Sequence, residues 1–163
     1  MIAPKTGTAM VFENDVTYVQ QLVDNKRLVE FPNRSEKHME GQISSDSTIF
    51  LAWYNEGDKA RIHLADVAGK KITIPPLNRE NIFKIFLPDE QHLLVAYHAN
   101  RQSEFQRRLE VWNFRTGQLK GSASIEEFPS QCCIAEKSDR MVFSNGKQLW
   151  FCLLYTSPSP RDS

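Results

Sequence analysis

The residues best suited to soft-metal or redox chemistry are the neighbours Cys132 and Cys133, because thiolates bind soft metals. Consecutive residues of a strand point to opposite faces, however, so two sulfurs side by side in sequence diverge, and a packing role is assigned to both. The four histidines, His38, His63, His92 and His98, have no regular ligand spacing. His63 stands between Ile62 and Leu64 and is expected on the polar face of its strand, exposed or hydrogen-bonded. Glu126 and Glu127 are adjacent carboxylates in a loop, and such pairs are ordinarily solvated; glycosidase chemistry needs two carboxyl groups held at a controlled separation.

Arg107 and Arg108, with Arg101, Arg115 and Lys120, make one stretch locally basic, as a phosphate or acidic-peptide contact requires. Lysine plus arginine equals aspartate plus glutamate, 20 against 20, so no long-range field gathers nucleic acid or anionic membrane. A solvated strand edge is the reading adopted for those cations. The chain has no glycine-rich phosphate loop, no His-Glu-x-x-His, no Gly-x-Ser-x-Gly and no Cys-x-x-Cys. No catalytic, cofactor-binding or metal-binding residue is therefore assigned. The chain is expected not to be an enzyme and to take no cofactor and no small-molecule substrate.

The elements that must carry these residues recur along the chain. Met10-Val11-Phe12-Glu13-Asn14-Asp15 aligns without a gap on Met141-Val142-Phe143-Ser144-Asn145-Gly146, 131 residues later. Phe50-Leu51-Ala52 and Leu93-Leu94-Val95 fill the same role between them, in steps of 40, 43 and 48 residues. Each is an apolar strand followed by a polar turn and a second strand. Self-similarity at this period predicts an all-β chain, a partial β-propeller of about three four-stranded antiparallel blades plus the start of a fourth. The repeats lie near 8–32, 37–76, 82–124 and 130–151. Asn14-Asp15 and Asn145-Gly146 are expected as two-residue hairpin turns, and 98–106 as a long loop that accounts for the 48-residue step. Trp53, Trp112 and Trp150 fall in predicted strands, where aromatic rings fill the space between blades.

Leu109-Glu110-Val111-Trp112-Asn113-Phe114-Arg115-Thr116-Gly117-Gln118-Leu119 resembles the WD-repeat pattern at its most recognisable stretch, an apolar-x-apolar-Trp-Asp strand followed by a Thr-Gly turn. Leu87-Pro88-Asp89-Glu90 is similar to that family's Pro-Asp-Gly turn into the second strand of a blade. The repeats are degenerate: Asn113 replaces the usual Asp, Ala65 stands where Trp belongs in the second repeat, and no Gly-His pair occurs.

The resemblance implies a non-catalytic platform that meets protein partners through its loops, as one segment of a larger scaffold or regulatory protein. The alternative it leaves open is an accessory propeller of a hydrolase or peptidase. The long, polar 98–106 loop and its flank supply the candidate partner-binding residues, His98, Asn100, Arg101, Glu104 and Arg107. Residues 152–162 resemble the in-frame translation of a sequencing-library adapter, so 152–163 are read as a non-native disordered tail and 1–151 as a propeller segment cut within its fourth repeat. Three cysteines make no disulfide framework, which favours a reducing, cytoplasmic setting. Neither a membrane nor a nucleic acid is expected as partner.

Overall fold

β-branched and aromatic runs broken by Gly, Asn and Asp turns favour short antiparallel strands, and the chain forms them throughout. A computed structural model describes the chain apart from residues 14, 33–38, 102–103, 135–139, 148 and 154–163. At 100–101, 104–105, 133–134, 140–141 and 150–153 it describes the backbone alone.

Four antiparallel sheets follow one another. The first blade is β1 (Ile2–Ala3), β2 (Thr8–Phe12), β3 (Val16–Gln21) and β4 (Arg27–Pro32). The second is β5 (Glu40–Ile43), β6 (Ile49–Glu56), β7 (Lys59–Asp66) and β8 (Lys71–Ile72). The third is β9 (Ile82–Phe86), β10 (His92–Arg101), β11 (Glu104–Asn113) and β12 (Gln118–Ile125). The fourth sheet has β13 (Gln131–Ile134), β14 (Arg140–Ser144) and β15 (Leu149–Leu153). Within each sheet the strands lie in chain order, so the molecule is an arc of a β-propeller with three four-stranded blades and a three-stranded fourth sheet. No helix long and apolar enough to cross a membrane occurs among the described residues.

The core lies between the blades. Ile49, Leu51, Trp53 and Leu64 of blade 2 meet Leu93, Val95 and Tyr97 of blade 3. Met10, Val19 and Phe31 of blade 1 meet Phe50, Ala52 and Ala65 of blade 2. Leu94, Ala96, Leu109 and Val111 of blade 3 meet Phe143 and Cys132 of the fourth sheet. Each middle blade is thus buried on both faces. Side chains also bridge blades 2 and 3 near the inner strands. The Gln42 amide donates to Ile85 O and accepts from Leu87 N, both at 2.9 Å, and Asn55 Nδ2 donates to Ile82 O at 2.9 Å.

Several sequence expectations change here. The first blade begins at Ile2, because Ile2 and Ala3 pair with Ala9 and Thr8. The segment 98–106 is no loop: β10 and β11 stay paired in register as far as Arg101 and Glu104. The link between β14 and β15 is four residues, 145–148, since Ser144 pairs with Leu149. Cys152 and Leu153 pair with Met141 and Arg140 and so extend β15; the remainder of the expected tail lies outside the described residues. The headline alignment also changes its faces. Met10 and Phe12 are directed at blade 2, Phe12 lying against Gly41 of β5, whereas Phe143 is directed back at blade 3.

Candidate partner-binding end of the arc

An antiparallel blade places the turn between its second and third strands at the same end as the crossover to the next blade. Here Asn81 of the crossover donates from N to Asp58 O in the β6–β7 turn at 2.9 Å, and His98 N of β10 donates to Asn81 O at 3.1 Å. Asn78 and Asn81 turn the crossover with φ of 42° and 53°, a left-handed backbone that asparagine tolerates well.

At this end the β10–β11 hairpin outruns its own sheet. β9 pairs with β10 as far as Tyr97, and β12 pairs with β11 as far as Arg107. Residues 99–106 therefore project without a neighbouring strand in their own blade. The polar composition that suggested a loop suits a ribbon that extends beyond its own sheet, where no apolar alternation is needed.

The hairpin has two different sides. His98 and Arg107 are cross-strand partners on the side toward the fourth sheet. There Phe83 and Phe128 stack with centroids 4.3 Å apart and planes within 9°, and His98 meets Phe128 edge-on at 4.8 Å. The Arg107 guanidinium lies 5.9 Å above Phe128 and donates to Glu126 O. Phe83 remains 53% exposed, an unusual position for a phenylalanine that a stacking neighbour already partly covers. His98 and Arg107 were thus legible in the sequence and are brought together. Phe83 and Phe128 were not, because a phenylalanine in a strand reads as core and Phe128 lies in the link between β12 and β13, far from Phe83 in sequence. The side chains of Asn100, Arg101 and Glu104 lie outside the described residues; their backbones form the hairpin's tip, with Arg101 opposite Glu104.

The other side of the hairpin borders a crevice of about 1090 Å³ between blades 2 and 3. At its floor Glu110 is 3% exposed and accepts from Arg79 Nε and Nη2 at 2.9 and 3.1 Å, Tyr97 Oη at 2.8 Å and Trp112 Nε1 at 2.9 Å. Arg79 comes from the crossover and lies over both rings, 5.7 Å from Tyr97 and 5.4 Å from Trp112. The Glu110 hydrogen bond raises the Arg79 pKa further, and burial followed by Glu110 raises that of Tyr97. A carboxylate saturated in this way is an anchor for the crossover rather than a base.

The remaining candidates scatter. Arg107 and Arg108 point to opposite sides of the hairpin, and Arg115 lies at the far end of blade 3, donating to Glu90 O at 3.0 Å. The basic stretch is therefore not one patch. His63 is half-buried rather than on a wet face: it stacks on Phe31 at 5.0 Å and lies 6.1 Å from Tyr54. Its Nε2 has no hydrogen-bond partner among the described residues. Burial, then Lys71 and Arg61, lowers its pKa. His92 is buried, with Nδ1 2.7 Å from Asp89 Oδ2. His38 and the Cys133 side chain lie outside the described residues, while Cys132 packs on the core shared by blade 3 and the fourth sheet. Trp53 and Trp112 fill the space between blades 2 and 3 as expected; the Trp150 side chain is outside the described set.

No protein-family model matches the chain, and neither does any curated protein.

Proposed function

We propose that this arc belongs to a WD-repeat-like propeller and serves as a non-catalytic platform for protein partners, met in a cytoplasmic setting at the end where the β10–β11 hairpin projects. The observation that carries this reading is the pairing of a two-stranded projection with an exposed aromatic at its base. Phe83, His98, Arg107 and Phe128 combine apolar area with a cation and a hydrogen-bonding ring, the mixture that forms energetic centres of protein interfaces. Residues 99–101 and 104–106 pair with each other and have no flanking strand in their own blade, which leaves the outer backbone edges of this ribbon open to a partner. The cytoplasmic setting rests on cysteine usage alone.

The test replaces residues 99–106 by Asn-Gly, which joins His98 to Arg107 through a tight turn that suits the existing register. The melting temperature should stay within a few degrees of the parent's. Proteins captured by the tagged parent from cell extract, and confirmed by reciprocal capture, should be lost from the variant. Retention of the same partners would remove the hairpin from the reading.

A further inference from the structure

We infer that the outer edge of blade 3 is a strand-addition site for an extended acidic peptide, distinct from the hairpin end. The three outer strands of the complete blades differ sharply. β4 carries Arg27 and Glu30, joined to each other at 3.0 Å, and ends at Pro32. β8 has only two residues, and Pro75-Pro76 follow soon after. Charges, prolines and shortness of this kind keep foreign strands off a sheet edge. β12 has eight residues, pairs with β11 alone, contains no proline and has Lys120 as its one charge. Lys120 and a bulge at Leu119–Gly121 guard the start of this strand, and beyond them Gly121–Ile125 form a regular edge, mostly exposed. At Gly121 an added Cβ would meet open space and the backbone is not left-handed, so neither packing nor conformation within the chain requires glycine there. A glycine in such a position lets another backbone approach closely.

The charge around this edge selects the peptide. The crevice between blades 2 and 3 reaches β12 at Leu119 and Ser122 and is lined by Lys59, Arg61, Arg79 and Arg108 with Glu80 and Glu110; Arg61 is paired with Glu56 at 2.5 Å and Arg79 with Glu110, so Lys59 and Arg108 are the cations that set the charge beside β12. Glu110 is saturated by its own partners. Arg108 reaches the edge, where its partners among the described residues are neutral, Ser124 Oγ at 2.9 Å and Ser122 Oγ at 3.0 Å, and Lys59 is exposed. A strand added to β12 directs alternate side chains to the blade-2 side, where these cations stand, so acidic residues at every second position fit.

The probe is a fluorescein-labelled peptide, Thr-Glu-Val-Glu-Val-Glu-Thr, measured by anisotropy against the full chain, with the lysine-for-glutamate peptide as control. Binding should be at least ten-fold tighter for the acidic form. Two analogues, N-methylated at the valines or at the glutamates, separate strand pairing from electrostatic adhesion: one should lose ten-fold or more and the other little. Arg108→Gln should weaken binding several-fold, while replacing residues 99–106 by Asn-Gly should leave it unchanged. Equal affinity of both N-methylated forms, or of the two charge forms, overturns the inference. So does absence of peptide binding, and if sedimentation then reveals a dimer that Ala123→Lys abolishes, the edge belongs to a second copy of this chain.

Discussion

Glu110 shows how one residue can tie a crossover to a blade. It accepts four hydrogen bonds, two of them from Arg79 and one each from Tyr97 Oη and Trp112 Nε1. Arg79 is 28% exposed and can turn to water once Glu110 is removed, but Tyr97 Oη and Trp112 Nε1 lose their acceptor, at a cost of about 1–3 kcal/mol. Glu110→Ala should therefore lower the denaturant midpoint with little change in slope. A loss under about 0.5 kcal/mol would show that the crossover is held by other contacts. His63 carries a pH dependence. Its pKa is lowered in the folded chain, so the neutral ring is favoured there, and its stabilising contribution is complete above the unfolded value of about 6.5. That contribution is lost as pH falls through the lowered folded value. Between about pH 7.5 and pH 5 the parent should lose more melting temperature than His63→Gln; parallel losses would exclude this group. Residue chemistry also explains one departure from the family pattern. Asn113 Oδ1 accepts from the backbone N of Arg115 and Thr116, just as Asp66 Oδ1 accepts from Ala68 and Lys70. The turn needs an acceptor, and either side chain supplies it.

The turns between third and fourth strands also join successive blades. Gly69, at φ +83°, has its Cα facing Leu28 of β4, where an added Cβ would come within 2.5 Å of the leucine Cβ and 2.9 Å of its backbone. Gly117, at φ +71°, occupies the same place in blade 3, where an added Cβ would come within 2.7 Å of Pro75. Gly57 shares the left-handed backbone, at φ +63°, with open space around it. Alanine at Gly57 should cost about 1 kcal/mol from backbone conformation alone, and alanine at Gly69 or Gly117 distinctly more. Equal losses at all three, measured by urea unfolding, would mean that the close approach carries no energy. At this scale the Thr-Gly turn was readable because glycine marks left-handed backbone. The hairpin at 98–106 was not, since a polar ribbon and a loop share the same composition.

Across the whole molecule stability is unevenly distributed, because each blade is covered by its neighbours. The interface of blades 2 and 3 has eleven buried core members, against eight between blades 1 and 2 and six between blade 3 and the fourth sheet, among the described residues. Amide exchange should accordingly be slowest in β6 and β10 and faster in β2 and β14. Uniform protection across the four sheets would instead indicate a single cooperative unit.

Strand content, the period of about 40 to 48 residues and the glycine-marked turns followed from the sequence alone, because each depends on local conformational preference. The phase of the repeat did not. Second strands such as Phe50-Leu51-Ala52 and Leu93-Leu94-Val95 are buried on both faces, so they are apolar throughout and no alternation indicates which residue faces which neighbour. A match of letters between Met10-Val11-Phe12 and Met141-Val142-Phe143 thus aligned Phe12, which faces the following blade, with Phe143, which faces the preceding one. The meeting of Phe83 with Phe128, and of Arg79 with Glu110, was likewise decided only in three dimensions. These pairs lie on different strands and crossovers, and only the packing of blade on blade brings them together.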